Sequence, residues 1–423
     1  MYVGLRVVRP HGTTLTRRQS PLMENGFSAQ KNYTENDSSA HLEKTMTHTA
    51  KSRTLPISGL NGNEIFLLGK LGLKPGQLLV GNSVQSLGLL RSLGAGIRNF
   101  AGGECADITQ LIESGRDEAI ARMDKEAQQV DAAGVTGVNA VLESFHGNTE
   151  FLATGSAVMG SHQGGFFTSS FSAEQLFCAM DAGYAPKHFA IGNVAYSIGF
   201  GGGLLGSLRT LTRGEIPEFS SVLNTTRHLA LERMCRDASK RNANIVLGVE
   251  TDLTHFANFH ELVMAGTSAT HPALPTNVVA SCDLTTDEVW SLAKAGYAPV
   301  RIVMGTAVYS LGLVGGLKAA FKSMARGEIP ELTSMVYDAR EHALDLLEAE
   351  ARAAQADFVA GTDTFIHELP GGLLEFLAIG TAMKAVAGLR TQSEVLPAQA
   401  LATHRSTFRH SFDELLSGSD ERV

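Results

Sequence analysis

The sequence predicts an α+β fold made of three tandem α-β-β-α-β-β modules, each a small antiparallel or mixed sheet packed on one long helix. Three observations predict it. The chain matches itself at two fixed offsets: Pro75, Pro186 and Pro299 are 111 and 113 residues apart, and so are Gly81, Gly192 and Gly305. Each repeat opens on the same helix-start signal, and each contains one long stretch with a helical apolar period. The repeats place modules at 58–165, 166–278 and 279–386, flanked by an N-terminal tail, 1–57, and a C-terminal tail, 387–423, that lack apolar periodicity and read as disordered.

The first element of each module is a short helix. A capping residue is followed three positions later by Glu or Gln: Asn61 with Glu64, Ser172 with Gln175, Thr285 with Glu288. Gly72, Gly183 and Gly296 end it, because glycine tolerates the left-handed conformation of a helix C-terminus, and a proline three residues on prevents continuation. A strand follows, Val300 to Met304 in the third module, and a second apolar run around Tyr309 leads into a glycine-rich loop. Leu332, Met335, Val336, Ala339, Ala343, Leu346 and Leu347 then recur at three- and four-residue steps, the buried face of a long amphipathic helix. Pro217 and Pro330 sit near its start, where a missing N–H costs nothing. Two strands joined by a polar turn close the module, here Phe358 to Phe365 and Leu374 to Met383.

Composition excludes several functions. With 423 residues, 43% of them hydrophobic, the chain can bury several cores, and a net charge of −8 offers no basic surface for nucleic acid. The uncharged run 189–208 has the length of a membrane span, but its glycines and the charges Arg91 and Lys318 in the equivalent runs argue for a strand entering a loop, so no membrane partner is expected. Cys105, Cys178, Cys235 and Cys282 form no CxxC pair, which fits a reducing cytoplasm.

The stretch Gly94 to Gly103, the helix carrying Arg116 and Glu118, the segment Ala132 to Val141 and the closing strand Phe151 to Val158 together resemble the YbjQ-like family. The likeness runs from about Leu79 to Val158 and through both copies. It implies small modules that assemble into closed rings, with a heavy-metal-binding label attached. Two features depart from the family pattern: three modules are fused in one chain, and the "GGEC" of the first becomes "RGEIPE" in the others.

The metal label points to a divalent cation held by histidine and carboxylate. His146, His255, His260 and His367 fall in the turns between the last two strands, near Glu150, Glu261, and Glu368 or Glu375. The plainer alternative is that these are solvated turn residues, since their spacing differs between modules. The charged residues that do recur are Glu104, Glu215 and Glu328 before the long helix, Arg116, Arg227 and Arg340 on it, and Glu150, Glu261 and Glu375 at the start of the final strand. An arginine and a carboxylate in every module most simply make an ion pair tying helix to sheet, or a contact between neighbouring modules. A sharper alternative is an anion site built from the arginine, the glycine-rich loop, and Arg98, Arg209 or Lys322. Gly201, Gly203 and Gly206 satisfy GxGxxG, a nucleotide motif only if its loop lies in a parallel βαβ unit. No serine, histidine and acid recur together at a turn.

The expectation from the sequence is a non-catalytic, cytoplasmic protein that assembles with itself and carries a divalent metal ion or a small anionic ligand. Two rivals stand beside it: a purely structural assembly protein without ligand, and a nucleotide-binding enzyme using the loop of the second module.

Overall fold

The computed structural model of the protein describes residues 55–86, 103–145, 148–162, 164–197, 214–256, 259–310, 330–369, 373–400 and 408–410. Module 1 runs α1 (Gly62–Lys70), β1 (Lys74–Ser86), β2 (Gly103–Glu104), α2 (Ala106–Gln129), β3 (Gly134–Phe145) and β4 (Asn148–Met159), followed by a linker strand β5 (Phe167–Thr168). Module 2 repeats the order as α3 (Ala173–Asp181), β6 (Ala185–Ser197), β7 (Gly214–Glu215), α4 (Pro217–Lys240), β8 (Ile245–Phe256), β9 (Phe259–Thr270) and the linker strand β10 (Ala280–Ser281). Module 3 has α5 (Thr286–Lys294), β11 (Tyr297–Ser310), α6 (Pro330–Ala353), β12 (Phe358–Leu369) and β13 (Leu373–Ala385), and β14 (Phe408–His410) comes last.

The local signals form the structures they predict. Asn61 Oδ1 accepts the Glu64 N–H at 3.0 Å while the Glu64 carboxylate accepts the Asn61 N–H at 2.7 Å, and the same reciprocal box forms at Ser172 and Thr285. Gly72, Gly183 and Gly296 leave the short helices at φ of +73°, +88° and +87°. The three long helices are each 24 residues.

One expectation changes. The two apolar runs after the short helix are a single strand, so β11 spans Tyr297–Ser310 without a break. The glycine between the runs is there for packing. A Cβ on Gly305 would overlap the carbonyl oxygen of Ala343, and Gly81 and Gly192 meet Ala119 and Ala230 in the same way. Each strand therefore lies almost backbone to backbone on its own long helix, and the side chains flanking that glycine point to the opposite face of the sheet.

Within a module the three long strands pair antiparallel, β1-β4-β3, β6-β9-β8 and β11-β13-β12. Short strands stitch the modules together. β2 of module 1 joins the edge of β6, and β7 of module 2 joins β11. The linker strands β5 and β10 run back, parallel to β3 and β8 of the module before. The helices α1, α3 and α5 share one core with the linkers, in which Leu67, Phe171, Leu176 and Trp290 are buried.

Residues 387–400, inside the stretch read as a tail, are held against that core. The Ser393 hydroxyl donates to Asp181 at 2.6 Å, Cys178 donates to the Ala400 carbonyl at 3.3 Å, and Ala400 is buried. The apolar residues of this segment follow no helical or strand period, and tertiary packing, with Leu389 and Leu396 against the core, fixes it instead. Among the described residues no helix is long and apolar enough to cross a membrane.

Candidate functional site: the joints between modules

The long helix of each of the first two modules lies between two sheets. One face of α2 packs on its own β1 and β4, and the other meets β6 and β9 of module 2: Ile108 and Ile112 share a core with Phe189, Ala195 and Phe259. α4 repeats the arrangement, with Phe219 and Leu223 sharing a core with Ile302, Met304 and Val308 of module 3. Residues 108 and 219, and 112 and 223, are repeat equivalents.

At the centre of each joint is a buried ion pair. Arg116 on α2 forks onto Glu261 on β9, Nη1 to Oε1 and Nη2 to Oε2, the second contact at 2.8 Å. Arg227 on α4 reaches Glu375 on β13 at 2.6 Å and Thr306 Oγ1 at 3.0 Å. Both arginines and both glutamates are buried. Removing such a guanidinium leaves a carboxylate with neither water nor counter-charge, so each arginine is committed to the next module.

Polar neighbours hold the acid for the arginine. Asn193 on β6 donates to Glu261 at 3.0 Å, and Thr306 occupies the equivalent place in module 3. His367 Nδ1 hydrogen-bonds Glu375 Oε2 at 2.9 Å. Burial alone would raise the Glu375 pKa, but the Arg227 charge and the His367 hydrogen bond outweigh it and hold the carboxyl down to about 2. Two further contacts repeat. The Ala195 N–H donates to Thr109 Oγ1 and the Val308 N–H to Ser220 Oγ, both at 2.9 Å. Cys105 and Ile216, just before the helices, donate their N–H groups to the carbonyls of Ala195 and Val308.

The other singled-out residues fall around these joints. Glu104 binds Arg233 of the next module at 2.7 Å, and Glu215 lies 3.6 Å from His342. Glu150 accepts from Asn82 at 3.0 Å, and Arg340 is exposed. His260 stacks at a tilt on Tyr196, and the backbone of His255 pairs with that of His260. His228 of α4 bridges to Glu350 of α6. His146, Glu328, Arg98, Arg209, Lys322 and the Gly201, Gly203, Gly206 motif lie outside the described residues. The strand that leads into that motif pairs antiparallel with β9, so its unit is not the parallel βαβ crossover a dinucleotide loop needs.

The described residues do not fit a metal centre. Among the described residues no three His, Cys, Asp or Glu side chains gather. Glu261 and both oxygens of Glu375 are occupied by arginine, amide or imidazole donors. The cysteines are free, and burial raises every thiol, Cys235 up to about 11 and Cys178 up to about 12. A protonated thiol is a poor ligand and a poor nucleophile.

Of the two readings of the repeated arginine and carboxylate, the structure has the contact between neighbouring modules. The asparagines were missed in the sequence: Asn193 holds Glu261, and Asn82 holds the equivalent Glu150. Their signal was present, since they are 111 residues apart like the arginines.

A chain of small α+β modules, each locked to the next by a buried helix-to-sheet joint, is the class this architecture defines. The YbjQ family, described as "putative heavy-metal-binding", matches residues 74–161, 185–271 and 285–386, and the chain belongs to that family in three tandem copies. An encapsulin nanocompartment protein of Mycobacterium tuberculosis is 31% identical over 225 residues, half of this chain and 82% of that protein. UPF0145 proteins of Methanocella arvoryzae and Thermosipho africanus are 39% and 40% identical over 83 and 92 residues, 69% and 85% of their lengths but 19% and 21% of this chain. These two relatives are therefore the size of one module.

Proposed function

We propose that the chain is a non-catalytic structural protein of the cytoplasm that assembles with itself. The observation that carries this reading is the buried arginine–glutamate bridge at each module boundary: Arg116 and Arg227, which recur in register, are both used in contacts between modules. Four free thiols, all with raised pKa, suit a reducing compartment and do not suit covalent catalysis. The name of the mycobacterial relative, an encapsulin nanocompartment protein, supports assembly and says nothing of chemistry.

Metal has no part in the proposal, because Glu261 and Glu375, the acids at the two joints, already hold arginines. Size-exclusion chromatography with light scattering tests the reading. The expected result is a discrete species heavier than the 45.0 kDa chain. A single chain at every concentration tried would overturn it.

A further inference from the structure

The joint is made twice within the chain, and both halves of a third are left over. In module 1 the sheet face that a preceding helix would cover is open. Leu78, Val80 and Val84 on β1 are exposed, whereas of their equivalents Phe189, Ala195, Ile302, Met304 and Val308 are buried and Ile191 is half-buried. Val84 is 51% exposed, and Ala195 and Val308 are 0%. The short helix shows the same contrast, with Phe66 at 46% and its equivalents Phe177 and Trp290 at 7%.

Module 3 has the opposite lack. Among the described residues its α6 buries its apolar face on its own sheet, with Ala339, Ala343 and Leu347 against Phe376 and Ala378, and meets module 2 only through the polar contacts of His342 and Glu350. Thr333 and Arg340 are exposed, and Leu332 and Val336 only half-buried, although the equivalents Thr109, Arg116, Ile108 and Ile112 in module 1 are all buried.

The unused acid is already set. Asn82 donates to Glu150 at 3.0 Å, the same distance and the same sequence separation as Asn193 to Glu261. Glu150 stands across from Val84 just as Glu261 stands across from Ala195 and Glu375 from Val308. Among the described residues no arginine reaches Glu150 and no carboxylate reaches Arg340. Among the described residues the third joint is therefore not made within one chain.

We propose that the partner is a second copy of this chain, and that α6 of one copy docks on β1 and β4 of the next, with Arg340 paired to Glu150 and Thr333 Oγ1 accepting the Val84 N–H. This rests on the self-assembly reading and gives it a direction. The open helix face and the open sheet face are different surfaces, so the contact is heterologous: it closes into a ring or extends as a filament, and it cannot make a two-fold dimer through one shared patch.

A charge exchange in the full-length chain tests it, read by sedimentation velocity with circular dichroism as the check on folding. Arg340 and Glu150 are not buried in the single chain, so Arg340→Glu and Glu150→Arg leave the fold intact. Each single variant should sediment as a 45.0 kDa chain. Mixing the two, or combining both changes in one chain, should restore association, because each then offers a matched pair at the joint. If the native chain assembles but neither single change alters its size, the proposed joint is wrong and self-assembly stands. If the native chain itself is monomeric, both readings fall. Disassembly by the single variants without rescue by the double would also overturn the pairing.

Discussion

Replacing Arg227 with methionine removes the guanidinium that neutralises Glu375 and leaves most of the stem to fill the space. The size of the effect follows from the site. Glu375 is held at about 2 against an ordinary 4.5, a depression worth about 3 kcal/mol at roughly 1.36 kcal/mol per pH unit. Breaking a buried pair by deleting one partner costs about 3–5 kcal/mol, the same range. His367 stays within hydrogen-bond reach and limits the loss, which places the expected destabilisation near 3 kcal/mol at pH 7. Denaturant unfolding gives the assay, and Trp290, the single tryptophan, makes a fitting probe because its indole donates to Asp181 across the module 2 to module 3 boundary. The pH dependence supplies a second check. A carboxyl with a depressed folded-state pKa stabilises fully above its unfolded value of 4.5, and that contribution is lost as pH falls towards 2. The gap between native and Arg227→Met chains should therefore close between pH 4.5 and 2. A gap under about 1 kcal/mol at pH 7, or one that ignores pH, would refute the buried-pair account.

Two further substitutions probe the scaffold. Burial first, and then the nearby acids Asp363 and Glu288, raise the Asp283 carboxyl to about 6 despite its hydrogen bond from Thr381, so its ionisation opposes folding and stability should fall as pH rises from 4 to 6; Asp283→Asn should remove that slope and raise stability at pH 7 by about 1–3 kcal/mol, and a slope unchanged in urea titrations would contradict it. Gly192→Ala drives a Cβ into the Ala230 carbonyl and the Met234 amide, backbone atoms that cannot rotate away, and should cost more than about 3 kcal/mol, whereas Gly69→Ala, with nothing within 4 Å, should be neutral or mildly stabilising; equal melting temperatures for the two variants would dismiss the close-approach argument.

Much of this was legible before any coordinates. The capping boxes at Asn61, Ser172 and Thr285 are local chemistry, and the φ of Gly72, Gly183 and Gly296 follows from what ends a helix. The repeat offsets exposed Arg116, Arg227 and Arg340 as one position used three times. Their partners were hidden by distance in sequence: Arg116 finds Glu261 and Arg227 finds Glu375, 145 and 148 residues on. The difference of three has two sources. The linker adds two residues and the last hairpin one more, so the strict offset of 113 from Glu261 falls on Leu374 rather than Glu375. The merging of two apolar runs into β11 was hidden for a similar reason. Glycine in a strand reads as a break in sequence, while at Gly305 it marks the point where a helix backbone comes too close for a side chain. Residues 387–400 carry no periodic signal at all, because a segment fixed by a few hydrogen bonds to Asp181 and one buried alanine needs none.

The same physics explains why the histidine–carboxylate grouping looked like a ligand set. Glu261 and Glu375 are acids with histidines nearby in sequence, and the fold directs those acids to arginines of the module before. At Glu375 the histidine and the arginine both reach the acid, and that arrangement is set by tertiary placement, which spacing within a single module cannot reveal.

The most direct test of this account is the native mass spectrum of the chain purified without chelator, where one number reports both chain count and any bound metal. The account predicts a discrete oligomer at an integer multiple of the 45.0 kDa chain with no fixed increment of metal mass. A lone 45.0 kDa species, or an oligomer carrying a constant number of metal ions per chain, would contradict it.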